Sequence, residues 1–295
     1  MSATLPIIYN PIAGGGSERR MRRAERALAE LGCRTELLPT SGSGSATSLA
    51  RRVVASGARR LVAAGGDGTV NEVINGMAGS GTELAIIPAG TANVLALELD
   101  IPLQLREACE LACAGQSKAI DLGVAGSRYF ALMAGIGFDA LVIKNIIPVL
   151  KRSIRRAAFP VTGLVTLLQQ ELLPLQVETA ERRCEGYFVV VANSRYYGGK
   201  FGPTPQASMT DGQLDVCVLK GKSIQEMLNF WVAALRRNHV DASLADYFRA
   251  KRVDVSCPSG KPVPVQTDGE LIGELPMSIA VAPRALRVCT GKDFA

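Results

Sequence analysis

Four apolar residues, Leu61-Val62-Ala63-Ala64, run directly into Gly65-Gly66-Asp67-Gly68-Thr69, and a helical pattern from Val70 to Ile74 follows at once. A short apolar run of this kind reads as a buried strand. Glycines at its carboxyl end let the backbone turn tightly and bring N–H groups close to a ligand. With a helix starting just beyond, the turn becomes an anion site made of amides and a helix N-terminus. Asp67 stands among those donors and would repel phosphate unless a cation or a proton lay between, which points to a magnesium-bound nucleotide. A glycine turn that only links strand to helix accounts for the same residues. Neither the P-loop pattern nor the dinucleotide fingerprint is present, which disfavours hydride chemistry.

The same design recurs twice. The loop Asn10-Pro11-Ile12-Ala13-Gly14-Gly15-Gly16 follows an apolar run at 5–9, and Pro88-Ala89-Gly90-Thr91-Ala92-Asn93 follows another at 84–87. Further strands are expected at 34–38 and 60–64, with helices over 18–32, within 40–57, after Gly68 and over 104–115. This alternation predicts a doubly wound α/β domain, a parallel sheet covered on both faces, with ligands bound at the strand carboxyl ends. After Asp121 the pattern changes to β-rich runs at 129–133, 187–192, 214–219, 253–257, 263–266 and 277–282. Strands without intervening helices predict an antiparallel β-sandwich, interrupted by helical stretches at 148–173 and 224–235. The domains are therefore expected to be 1–125 and 126–295.

With 295 residues, 47% hydrophobic and 20% charged, the chain suits two cored domains and is neither disordered nor fibrous. Seven scattered cysteines read as reduced thiols of a cytoplasmic protein, with Cys109 and Cys113 on one helix face but no further ligands for zinc. A single histidine, His239, excludes His-rich metal sites and sends the search for a base to the carboxylates. The net charge of +6 arises wholly after residue 125: residues 1–125 carry 12 basic and 12 acidic residues, and 126–295 carry 21 and 15. Lys144, Lys151, Arg152, Arg155 and Arg156 form a basic run mixed with apolar residues, which suits either peripheral contact with an anionic membrane or a solvated face. No stretch here is apolar for the ~20 residues a spanning helix needs. With 5% aromatics and no reading module, nucleic acid is not an expected partner.

On the Asn-Pro loop, Gly65-Gly66-Asp67-Gly68-Thr69 with Asn71-Glu72, the Pro-x-Gly-Thr-x-Asn loop, Asp121-Leu122-Gly123, Gly135-Ile136-Gly137-Phe138-Asp139, Asp211-Gly212 and Asp268-Gly269-Glu270, the sequence resembles the diacylglycerol kinase catalytic family. That family also contains sphingosine and ceramide kinases and bacterial lipid kinases, and the resemblance covers nearly the whole chain. It implies ATP-dependent phosphorylation of a lipid hydroxyl, with Mg²⁺, by an α/β nucleotide domain joined to a β-sandwich.

The resemblance assigns nucleotide contacts to Asn10, Thr40, Gly65, Gly66, Asp67, Gly68, Thr69, Asn71, Glu72, Gly90 and Thr91, although Thr40 and Thr91 also suit helix caps. It makes Glu270 the general base, in a second domain facing the nucleotide cleft. Read from spacing alone, Asp268-Gly269 is a hairpin turn and Glu270 a solvated strand residue. It places a magnesium on Asp211 and the carbonyls of Ser208 and Gln213, and Asp121 in a magnesium-linked water network. An Asp-Gly turn explains Asp211 equally. Gly15 stands where many members carry a basic residue, and Val94 where they carry an acidic one. Arg19 or Arg20 could supply the cation, or simply solvate a helix. Trp231 and His239 read as packing or surface residues. An NAD kinase, whose superfamily shares the Gly-Gly-Asp-Gly loop, and a non-catalytic nucleotide- or lipid-binding regulator are the alternatives. The acceptor lipid and the oligomeric state are not legible.

Overall fold

The computed structural model describes residues 4–12, 17–145, 172–197, 202–235 and 244–294. Gly15, most of the basic run, nearly all of the helical stretch expected at 148–173 and His239 lie outside the described residues. One compact unit runs to Leu122 and resumes at Pro283, and the other runs from Gly123 to Ala282.

The first unit is a parallel sheet of β1 (Leu5–Tyr9), β2 (Thr35–Pro39), β3 (Arg60–Gly65) and β4 (Glu83–Pro88) in the order β2-β1-β3-β4. The central strands β3 and β4 are buried along almost their whole length, as a sheet covered on both faces requires. On one face α1 (Ser17–Glu30) and α5 (Leu105–Ala114) bury Met21, Ala24, Leu28, Cys109 and Ala112 against Ile7, Val62, Ala64, Ala85 and Ile87. Strand alternation turns Ile8, Leu61, Ala63, Leu84 and Ile86 to the other face, and all are buried. There α2 (Ser45–Ala55) and α3 (Asp67–Met77) pack on β1 and β3. The two helices approach so closely at Gly76 that a Cβ there would lie 2.5 Å from the Thr47 carbonyl oxygen. A short helix, α4 (Val94–Glu98), follows the β4 loop and was not expected from the sequence.

The second unit is an antiparallel sandwich. One sheet runs β12 (Ala245–Ala250), β11 (Leu214–Leu219), β10 (Phe188–Ala192), β7 (Met133–Gly137), β14 (Pro264–Thr267), β15 (Glu270–Glu274). Facing it are β13 (Arg252–Ser256), β8 (Leu175–Glu178), β9 (Arg183–Gly186) and the first part of β16 (Met277–Cys289). Ala134, Ile136, Val189, Val191, Val216 and Val265 from the first sheet meet Leu175, Val177, Val253, Val255 and Ile279 from the second in one core. The strand β5 (Ser117–Ala125) pairs with β16 and with β6 (Arg128–Phe130), and α6 (Phe138–Asn145) follows β7. The helix α7 (Ile224–Leu235) has the bounds expected from the sequence.

Strand β16 is longer than the expected 277–282. Val253 and Val255 of β13 pair with Ile279 and Met277, whereas Arg287 and Val288 pair in parallel with Glu83 and Leu84 of β4. Residues from Pro283 on therefore belong to the first unit, although the sequence pattern runs the second domain to the chain end. No helix among the described residues is long and apolar enough to cross a membrane.

The expectation that all seven cysteines are free thiols is corrected. Cys33 and Cys113 form a disulfide, with Cα atoms 6.6 Å apart and 80 residues of sequence separation. The packing of α1 on α5 in the core of the first unit brings the end of one helix beside the end of the other. Cys109 is separate from that bridge: it is buried, with its thiol pushed up to about 11 by desolvation. Closing a loop of 80 residues stabilises the fold by ~4 kcal/mol in the chain-entropy model. Dithiothreitol, or Cys33→Ser, is accordingly expected to lower the melting temperature by several degrees in paired thermal melts.

Candidate active site

The predicted nucleotide residues of the first unit converge because they end adjacent parallel strands. In sheet order, Thr40 follows β2, Asn10 follows β1, Gly65 ends β3 with Gly66 after it, and Pro88 ends β4 with residues 89–93 after it. The Thr40 amide donates to the Tyr9 carbonyl at 2.9 Å, so the first two ends are tied together. Asn10 Oδ1 accepts the Ile12 amide at 3.0 Å and closes its own turn. The Ala89 amide donates to the Gly65 carbonyl at 2.8 Å, which joins the other two.

Between those last two loops the backbones touch. A Cβ built on Gly90 would lie 2.5 Å from the Gly66 Cα, and one on Gly65 would lie 2.7 Å from the Thr69 Cβ. Asn93, at φ 49, holds the second loop shut by accepting the Gly90 amide at 2.8 Å and donating to the Gly90 carbonyl at 3.0 Å. Helix α3 begins at Asp67, earlier than the sequence pattern suggests, so Gly68 and Thr69 lie in its first turn. Gly66, extended at φ −89, brings no side chain to cap it. The first-turn amides of an α-helix lack intrahelical partners and attract anions.

Asp67 reaches toward α4, where its Oδ1 accepts the Leu95 N–H at 3.2 Å. Desolvation by burial raises its carboxyl above the ordinary value near 3.8, against backbone hydrogen bonds led by that of Leu95. Between those two values the folded chain binds more protons than the unfolded one, so this group makes stability fall as pH rises through that window. A cation beside the carboxylate would remove the penalty.

Other predicted residues have protein partners. Asn71 is buried, and its Oδ1 accepts the Asn75 side-chain amide at 3.1 Å. Glu72 Oε2 accepts the Ala46 N–H at 3.1 Å and so caps the start of α2, while its carbonyl accepts the Thr47 hydroxyl at 2.8 Å. Thr91 is exposed on the β4 loop. Arg20, for which solvation was one reading, reaches inward: its Nη2 donates to the Pro88 carbonyl at 2.7 Å, at the carboxyl end of β4. Its spacing from buried Ala24 and Leu28 places it on the inner stripe of α1, a signal present in the sequence.

In the second unit, Asp268 and Gly269 have φ 47 and 87 in a two-residue hairpin between Thr267 and Glu270. The Asp268 carboxylate is an anchor. Its Oδ2 accepts the Ala131 N–H at 2.8 Å, and its Oδ1 accepts those of Leu132 and Met133 at 3.0 Å each. Asn193 grips the same turn, donating from its side chain to the Ala131 carbonyl at 3.1 Å. The hairpin so fixed carries Glu270, whose carboxylate forms an ion pair with Arg128 of β6. Both spacing-based expectations hold in part: Asp268-Gly269 is a turn, and Glu270 is partly exposed. Arg128 was not singled out in the sequence.

Ser208, Asp211 and Gln213 lie in one turn before β11. Asp211 Oδ1 accepts the Gln213 N–H at 3.0 Å, and its other oxygen lies 3.9 Å from Arg249. Arg249 also approaches the buried Asp215 at 3.5 Å, and Asp215 is hydrogen-bonded to the Tyr247 hydroxyl. Burial raises the Asp215 carboxyl. Among the described residues no group of three or more acidic, histidine or cysteine side chains is placed to hold a metal. Asp121 is buried in β5 and accepts the Arg284 N–H at 2.7 Å, at the left-handed bend of β16.

The chain thus joins a parallel sheet with glycine loops at its strand ends to an antiparallel sandwich. Residues 4–125 match the profile of the diacylglycerol kinase catalytic domain, and residues 133–290 match that of the YegS C-terminal NAD kinase beta sandwich-like domain. The chain belongs to the diacylglycerol kinase catalytic family. It is 29% identical to a diacylglycerol kinase of Bacillus subtilis over 297 residues, 98% of this chain and 97% of that one. It is 30% identical to a diacylglycerol kinase of Staphylococcus aureus strain MRSA252, across 98% and 92% of the two chains. A crystal structure of a Bacillus anthracis diacylglycerol kinase superposes with a TM-score of 0.80 at 26% identity, covering 99% of this chain and 98% of that one.

Proposed function

We propose that this protein is an ATP-dependent lipid kinase, transferring the γ-phosphoryl group to a lipid hydroxyl with Glu270 as general base. The observation that carries the reading is the Gly66–Gly90 contact. Gly65, Gly66 and Gly90 leave no room for a Cβ, so the loops after β3 and β4 close backbone to backbone into one wall of a triphosphate cradle. The uncapped first turn of α3 extends that cradle through Gly68 and Thr69. Asn10, Thr40, Asn71 and Thr91 contribute nucleotide contacts, and Glu72 acts through the start of α2 that it caps.

The desolvated Asp67 carboxylate fits a cation bound with the nucleotide. Magnesium, when present, neutralises charge on the phosphoryl oxygens during transfer. A second magnesium suits the oxygen set of Asp211 with the carbonyls of Ser208 and Gln213, and Asp121 suits a magnesium-linked water network. Glu270, held by Arg128 and by the anchored hairpin, accepts the proton of the acceptor hydroxyl. The relatives' activity supports a lipid acceptor. The protein works from the aqueous side of a membrane surface.

An NAD kinase-like reading has one observation in its favour, the NAD kinase-like description of the sandwich. Labelled γ-phosphate ATP with a bacterial lipid extract separates the two. Label is expected in the organic phase, whereas label confined to the aqueous phase with NAD added would establish the second reading. Gly90→Val drives a side chain onto Gly66, a clash of ~1–3 kcal/mol, and calorimetry should find Mg·ATP bound ~10- to 100-fold more weakly.

A further inference from the structure

Helix α7 carries two apolar faces where a surface helix needs one. Met227, Phe230 and Ala234 are each 0% exposed and pack inward. On the opposite side, Leu228, Val232 and Leu235 are 49%, 46% and 62% exposed. They stand at i, i+4 and i+7, so they form one continuous outward stripe. From Met227 through Leu235 the sequence has no charged residue. Trp231, between the faces, has its ring 5.4–5.8 Å from those of Phe188, Tyr197 and Phe230 in tilted and edge-on contacts, which fixes the helix on the sandwich.

The charges lie at the two ends. Lys220 and Lys222 precede the helix, and Arg236 and Arg237 follow it directly in sequence. Between residues 220 and 237 there are four basic residues and one acid, Glu226. Glu226 is occupied in capping, accepting the Ser223 amide at 3.0 Å and its hydroxyl at 2.5 Å. Lys220 is paired with Asp246 at 2.9 Å, which leaves Lys222 as the exposed base at the start of the helix, and the sequence adds the arginine pair just after its end. An uncharged apolar stripe bordered by basic residues, with an aromatic at its side, is the pattern of a helix lying in the interface of an anionic bilayer. A protein partner of ordinary composition would not require the basic ends.

We infer that the Leu228–Val232–Leu235 stripe of α7 is the surface by which this protein docks on anionic phospholipid membrane. The inference rests on the lipid-acceptor reading for its purpose, and on the exposed stripe and its charge for its location. Docking inserts the three side chains among the acyl chains while Lys222 meets the headgroups.

Trp231 is the only tryptophan, so energy transfer from it to dansyl-phosphatidylethanolamine reports docking without labelling. With vesicles of phosphatidylcholine and phosphatidylglycerol, transfer is expected from the wild type and is reduced with phosphatidylcholine alone. Leu228→Asp and Val232→Asp each replace an exposed side chain, so circular dichroism and melting should be unchanged while vesicle partitioning falls ~10-fold or more. Wild-type levels of partitioning in both variants would overturn the inference. So would absent vesicle binding, including the case in which sedimentation finds a dimer that Leu228→Asp dissociates. Turnover of dihexanoylglycerol in free solution should be retained by the variants. If the wild type binds vesicles but phosphorylates no lipid, the kinase reading fails and the docking surface stands.

Discussion

Glu270→Gln should lower lipid phosphorylation ~10²- to 10⁴-fold while leaving Mg·ATP affinity and thermal stability close to wild type. Glutamine keeps the shape of the side chain but cannot take a proton from the acceptor hydroxyl. The structural cost is small because the Arg128–Glu270 pair is partly exposed on both sides, and such pairs contribute ~0–1 kcal/mol. Steady-state kinetics with calorimetry and a melt on one preparation check all three quantities. Turnover within threefold of wild type would remove Glu270 from the mechanism.

Asp268→Ala should act differently, through the fold. Its carboxylate serves the amides of Ala131, Leu132 and Met133, all in buried residues. Removing it strands three donors at ~1–3 kcal/mol each, and partial rehydration leaves a net loss on the order of 3–5 kcal/mol. Urea denaturation is the measurement. Asp268→Asn, which retains acceptor oxygen on one side only, should fall between the two. Activity in the alanine variant should drop as well, because the hairpin that presents Glu270 has lost its anchor. An unchanged unfolding midpoint would mean that those amides find other partners at no cost.

The parallel sheet was legible because its strands are buried on both faces and appear as unbroken apolar runs, as at Leu61 to Ala64. The strands that escaped notice include two sheet edges: β9 and β12 each end a sheet and are mostly half-buried or exposed, so no apolar alternation marks them. The glycine loops were legible as turns, but the contact between Gly66 and Gly90 joins residues 24 apart and has no local signature. Charged side chains were the least legible. The destinations of Glu72 at the start of α2, Asp67 at α4 and Asp268 at the 131–133 turn depend on tertiary approach, which residue type does not encode. The disulfide belongs to the same class, since Cys33 and Cys113 meet only because two helices share a face.

The thirteen-residue strand β16 has a practical corollary for anyone cutting this chain. Its last residues lie beside β4, and the Gly79 and Gly291 amides add bonds to Ala285 and Leu99. A fragment ending near residue 125 would be missing that neighbour and would present a bare strand edge, a template for aggregation. An excised first unit would need 283–294 grafted back through a linker, and a protein truncated by a dozen residues should precipitate even though every motif remains.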